Sequence, residues 1–174
     1  MPAPLSAVTA ALQMGPGPGP QVEPVANPLL NLAGSAVGAF LTTLVVGAIL
    51  VAVAPDYTER KMAALLEAPV GSFLYGFAAA VFLLLVIVVL VFTIIGILVA
   101  IPLALVLYVI WAVGAAIAFL AVGERLVGRD DGWAKPLVVG AAINGALTLT
   151  GIGGLLTFAI GAAGFGAVLR DYLG

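Results

Sequence analysis

Residues 68–123 read APVGSFLYGFAAAVFLLLVIVVLVFTIIGILVAIPLALVLYVIWAVGAAIAFLAVG, fifty-six residues without one Asp, Glu, Lys or Arg. As one helix this tract would be about 84 Å long at 1.5 Å per residue, against a hydrocarbon layer of about 30 Å. The chain must therefore reverse inside it. Thr93-Ile94-Ile95-Gly96-Ile97, with Pro102 five residues later, is the place for that reversal, because glycine and proline interrupt an otherwise unbroken apolar pattern. The reading is one span over 70–95 and another over 98–123.

Working outward, Glu23 is followed by no charge until Asp56, and Lys135 by none until Arg170, which gives two further charge-free tracts of 32 and 34 residues. The first holds a span over 28–54, with Pro28 suited to an opening helical turn and Pro55-Asp56 to a stop. The last, 136–170, would reach about 51 Å as a single helix. A break near 151–154, in Thr148-Leu149-Thr150-Gly151-Ile152-Gly153-Gly154, makes it either a final span or a re-entrant helical hairpin, the latter allowed only where its bend is buried in protein. The fold class is thus an all-α integral membrane protein with about four hydrophobic helical segments and glycine-rich packing.

Composition agrees, since 64% of the 174 residues are hydrophobic and 8% are charged, where soluble proteins carry roughly a quarter. Residues 1–27 differ, alternating Gly15, Gly17 and Gly19 with Pro16, Pro18 and Pro20, and read as a flexible Pro/Gly-rich tail ahead of a membrane domain over 28–174. Between the first two spans, Asp56, Glu59, Arg60, Lys61 and Glu67 surround Met62, Leu65 and Leu66. That spacing fits either a short amphipathic helix along the interface or a solvated connector.

Thr93, Gly96 and Ile97 align with Thr148, Gly151 and Ile152 at an offset of 55, a weak internal repeat of two helical hairpins. All six basic residues fall at the polar loops or the C-terminal end: Arg60, Lys61, Arg125, Arg129, Lys135 and Arg170. The positive-inside rule then expects the tail outside and the polar loops cytoplasmic in a multi-pass cell-membrane protein. Tyr57, Phe73, Trp133 and Tyr172 suit an aromatic belt, whereas Trp111 lies mid-span and is expected to pack on a neighbouring helix.

Chemistry is hard to place. With no Cys and no His, the usual metal ligands and the usual general base are missing, so no cofactor or metal is expected, and the reading is not an enzyme. A net charge of −2 with scattered cations offers no nucleic-acid face. No ionisable residue falls within the three tracts, where transport pathways commonly place them. Gly161, Gly164 and Gly166 lack the Lys or Ser of a phosphate loop. Candidate helix-packing or polar-bend positions are Gly34, Gly38, Thr93, Gly96, Pro102, Asn144, Thr148, Gly151 and Gly154. Asn144 and Thr148, one turn apart, suit a polar patch lining a pore, or an interhelical hydrogen bond. Glu124, Arg125, Arg129, Asp130, Asp131 and Lys135 form a loop that either docks a partner or is simply solvated. Recurrent small residues four apart allow close helix approach within a subunit or between subunits.

The Thr93–Pro102 run, the Gly123-Glu124-Arg125-Leu126 ending and the Leu-Thr-Gly-Ile-Gly-Gly bend before a Gly/Ala-rich final helix resemble the uncharacterised membrane domain of bactofilin-like, polymer-forming proteins and its stand-alone haloarchaeal relatives, over about 54–174. The acidic, Ala/Gly/Val-rich composition suits such a source. In that family the bend reads Thr-x-x-Gly-Ile-Pro, whereas here Pro102 is displaced by four residues, and the β-rich polymerising segment is lacking. The resemblance implies no catalytic residues. The expected function is a non-enzymatic membrane scaffold or small subunit that anchors or assembles with partner proteins, in contact with membrane lipids and as a homo-oligomer or part of a larger complex. The alternative is an oligomeric channel or small-molecule transporter whose broken helices meet at mid-membrane.

Overall fold

The computed structural model describes residues 28–150 and 152–173, so the expected tail over 1–27 and the candidate Gly151 lie outside the described residues. The chain divides into units Met1–Asn31 and Leu32–Gly174. In the first, the described residues Pro28–Asn31 are helical. The described residues form six helices and no strand: α1 (Pro28–Val53), α2 (Pro55–Glu67), α3 (Pro69–Val91), α4 (Ile94–Val127), α5 (Ala134–Thr148) and α6 (Gly153–Leu173). Four helices are long and apolar enough to cross a membrane, over Pro28–Val53, Pro69–Val91, Ile95–Val127 and Gly153–Arg170. This is an all-α, multi-pass membrane protein.

Local chemistry explains the boundaries. Pro55 and Pro69 open α2 and α3 at a position where the missing N–H costs nothing. Gly128, at φ 70°, ends α4, and its N–H closes on the Glu124 carbonyl at 2.8 Å. The reversal in the long tract falls at Phe92–Thr93, four residues earlier than the 70–95 reading put it. Thr93 is the N-cap of α4, its Oγ1 accepting the Gly96 N–H at 2.9 Å, so Gly96 belongs to the first turn of α4 and not to the bend. Pro102 takes no part in the reversal either; it lies exposed inside α4, which runs unbroken for 34 residues rather than over 98–123. The last tract is two helices of 15 and 21 residues, turning between Thr148 and Gly153.

In Leu32–Gly174, α6 lies against both α3 and α4, and α5 against α4. The crossings are backbone to backbone. A Cβ on Gly76 would strike the Ala162 carbonyl oxygen, and one on Gly166 the Ser72 carbonyl oxygen. Gly114 and Gly164 face each other in the same way across α4 and α6, as do Gly123 with Pro136 and Gly140 with Phe119 across α4 and α5. In hydrocarbon, where side-chain burial drives little association, such close approach supplies the dispersion contacts that hold helices together. Gly114 and Ala118, small residues four apart, are used here within the subunit, against Gly164.

Gly76→Leu or Gly114→Leu should each cost roughly 1–3 kcal/mol or more by overpacking, seen as a lower melting temperature of the detergent-solubilised protein. Gly34→Leu and Gly154→Leu, where a Cβ meets nothing within 4 Å, should leave it unchanged.

A charged helix end and two matching turns

The amphipathic segment 55–67 is a helix, and it packs on the bundle by the stripe Thr58, Lys61, Met62 and Leu65. Met62 and Leu65 join a buried cluster with Ile117, Leu120 and Ala121 of α4 and Ala167 and Val168 of α6. Lys61 is only 2% exposed. Its Nζ donates to the carbonyl oxygens of Ala167 at 3.0 Å and Val168 at 3.3 Å, and stands 5.4 Å from the centre of the Tyr57 ring. A buried ammonium is tolerated only with strong acceptors. Carbonyls near the C-terminal, negative end of α6 provide them, and the aromatic face adds a cation–π contribution. The sequence reading grouped Lys61 with the loop charges. Its place on the Thr58–Met62–Leu65 stripe, three and four residues from its neighbours, was the signal that it faces inward.

Around this contact the two polar segments meet. Arg129 pairs with Glu59 at 2.8 Å and with Glu124 at 3.6 Å, and its guanidinium lies 4.2 Å from the centre of the Trp133 ring. These groups are part-exposed, so each pair is worth at most about 1 kcal/mol; what they fix is geometry. The linker Gly128–Trp133 is tied to α2, and Lys61 ties α2 to the end of α6. Lys135 pairs with Asp131 one turn away, while Arg125 and Asp130 are exposed. All six basic residues therefore gather at one end of the bundle.

The other candidate residues are not brought to one place. Gly34, Gly38 and Gly154 lie on exposed surface. Asn144 is buried and bonds α5 to α1, its Nδ2 donating to Thr43 Oγ1 at 2.7 Å and to the Ala39 carbonyl at 3.4 Å. Thr148 turns back to the Asn144 carbonyl of its own helix at 2.8 Å, so the two side chains do not form a shared patch. Asn144 Oδ1 and Thr157 Oγ1 are buried without a hydrogen-bond partner among the described residues. Trp111 does pack inward, its ring 5.3 Å from those of both Phe158 and Phe165.

The internal repeat is real in the turns but sits at another offset. Thr93 Oγ1 donates to the Leu90 carbonyl at 3.0 Å, and Thr150 Oγ1 to the Leu147 carbonyl at 2.9 Å. A Cβ on Gly96 would strike Leu90 O and Thr93 Oγ1, and one on Gly153 would strike Leu147 O and Thr150 Oγ1. The equivalent residues are thus Leu90, Thr93, Ile95, Gly96 and Leu98 with Leu147, Thr150, Ile152, Gly153 and Leu155, an offset of 57 rather than 55. The alignment of Thr93 with Thr148 and of Gly96 with Gly151 is superseded, because hydrogen bonding picks out the second threonine. Both turns lie at the end of the bundle away from the charges.

The turns do not meet. Phe158 of α6 meets Phe77 of α3 edge-on, ring centres 6.3 Å apart, and stacks on Trp111 of α4 at 5.3 Å. From that level α6 reaches its start at Gly153 within about 7.5 Å, whereas α3 runs about 21 Å to Val91 and α4 about 25 Å to Ile94. The α3–α4 hairpin therefore projects roughly 13–18 Å beyond the α5–α6 hairpin.

Lys61→Met keeps the apolar stem and removes the charged donor, which should cost roughly 1.5–3 kcal/mol and raise amide exchange over 57–65. Arg60→Met, on the exposed face of α2, should change neither. Equal effects of the two substitutions in thermal melts and hydrogen-exchange mass spectrometry would sink the assignment of Lys61 as the pin of α2.

No curated protein and no solved structure matches the chain. Residues 3–174 match a family described as Domain of unknown function (DUF8173), and the chain, covered from near its first residue to its last, belongs to that family.

Proposed function

We propose that this protein is a non-enzymatic membrane scaffold or small subunit, one that assembles with a partner protein through its charged end. The observation that carries this reading is the way that end is held. Lys61 and Arg129 join α2, the Gly128–Trp133 linker and the end of α6 into one surface, leaving Arg60, Arg125, Asp130 and Asp131 exposed upon it. A surface built for display has fixed backbone and exposed charges, and charge complementarity gives such a surface specificity.

The transporter alternative draws less support. It calls for two bends meeting around a hydrated cavity at mid-membrane, and the Thr93 and Thr150 turns end at different depths, with glycine contacts closing the helices on one another between them. The gathering of all six cations at one end further favours a cytoplasmic orientation for that end under the positive-inside rule, with both hairpin turns directed to the other side.

Two experiments test the proposal. Affinity purification of the full chain from its native membrane should recover a stoichiometric companion, and the double substitution Asp130→Lys with Asp131→Lys should reduce its recovery at least tenfold without lowering the melting temperature. A homo-oligomer with no companion defeats the scaffold reading. For orientation, the absence of native cysteine makes Asp131→Cys and Thr93→Cys clean reporters. A membrane-impermeant maleimide should label Thr93→Cys on intact cells and Asp131→Cys only after permeabilisation; the reverse pattern inverts the topology.

A further inference from the structure

The difference in reach between the two hairpins leaves a feature that the scaffold role does not use. Where α6 ends at Gly153, α3 and α4 continue without a third helix between them. A groove of about 440 Å³ opens there, walled by Leu84 and Ile87 of α3 and by Leu107 and Tyr108 of α4, over a floor of Trp111 and Phe158. We propose that this groove is a binding site for one acyl chain of a membrane lipid drawn from the leaflet opposite the charged end.

Depth selects that occupant. Leu84 and Ile87 lie seven and ten residues beyond Phe77, about 10 and 15 Å farther from the charged end, on the side of the bundle that carries the two turns. Lining chemistry selects it too. Every residue of the wall is hydrocarbon or aromatic, and no charged side chain reaches the groove to receive a headgroup, so the ligand portion inside must be a bare chain and its headgroup must remain at the far interface. Access is lateral, since Leu84 at 60% and Tyr108 at 64% exposure leave the rim open. The floor is closely packed: Trp111 is stacked on Phe158 and tilted against Phe165, and its ring lies against Gly161, where a Cβ would come within 3.2 Å of it. A second copy of the chain is the less suited occupant, because the exposed rim residues Leu84 and Tyr108 are large, whereas helix pairs in membranes approach through small ones.

Trp111 is itself the probe. The chain has two tryptophans, so Trp133→Phe leaves Trp111 as the sole emitter. In nanodiscs containing phosphatidylcholine brominated near the end of its acyl chains, Trp111 emission should be quenched, with saturation at a low fraction of brominated lipid. Ala104→Phe, filling the groove from α4, should lower the quenching constant at least threefold. Ala80→Leu, a smaller change on the α3 wall, should lower it measurably and serves if the larger variant fails to fold. Quenching that rises in simple proportion to brominated lipid and ignores both substitutions means annular contact only and overturns the site. Absent quenching together with a dimeric mass assigns the groove to a second copy, and overturns it equally.

Discussion

Everything else in this bundle depends on how closely α6 approaches α3 and α4. In water the apolar faces of helices are driven together; within lipid that force is absent, and association rests on dispersion and on polar contacts between helices. Gly76 against Gly166 and Gly114 against Gly164 let main chains touch, which brings the neighbouring side chains into contact as well. Ile117, Phe165 and Ala162 are buried as a result. A side chain at any of these four glycines would push α6 away from one partner and weaken its hold on the other.

Close packing along α6 also determines what happens at its two ends. Toward the C-terminal end, α6 presents the carbonyls of Ala167 and Val168 to Lys61, so α2 is held across the base of the bundle with Asp56, Glu59, Arg60 and Glu67 outward. At its N-terminal end α6 stops while α3 and α4 continue, and the groove above Phe158 follows from that difference in length. One surface is polar and built from three segments distant in sequence, the other apolar and open to lipid. The scaffold reading concerns the first and the lipid proposal the second.

The two hairpin turns show how a repeat can persist in hydrogen bonding while fading in sequence. Leu90 and Leu147 each supply a carbonyl to a threonine hydroxyl three residues on, and Gly96 and Gly153 each leave room for the same pair of oxygen atoms. Thr148 competes with Thr150 for the role when letters alone are aligned. Its hydroxyl bonds instead to the Asn144 carbonyl, a local interaction that strings of residue types do not reveal. Because both turns point away from the charged end, the duplication is one of parallel hairpins.

Much of the architecture was legible beforehand. Charge-free tracts, the length limit of a bilayer and proline at helix starts determined an all-α membrane protein and the approximate place of each span, because the bilayer constrains length and polarity residue by residue. Thr93 and Gly96 were recognisable as a reversal, though Thr93 acts as a cap and Pro102 is carried inside α4. Which glycines pack, whether Lys61 faces solvent, that Arg129 reaches Glu59, and how far each hairpin projects were decided by the tertiary structure alone. Each of these depends on the rotation and depth of one helix relative to another, and a pattern along a single helix does not contain that relation.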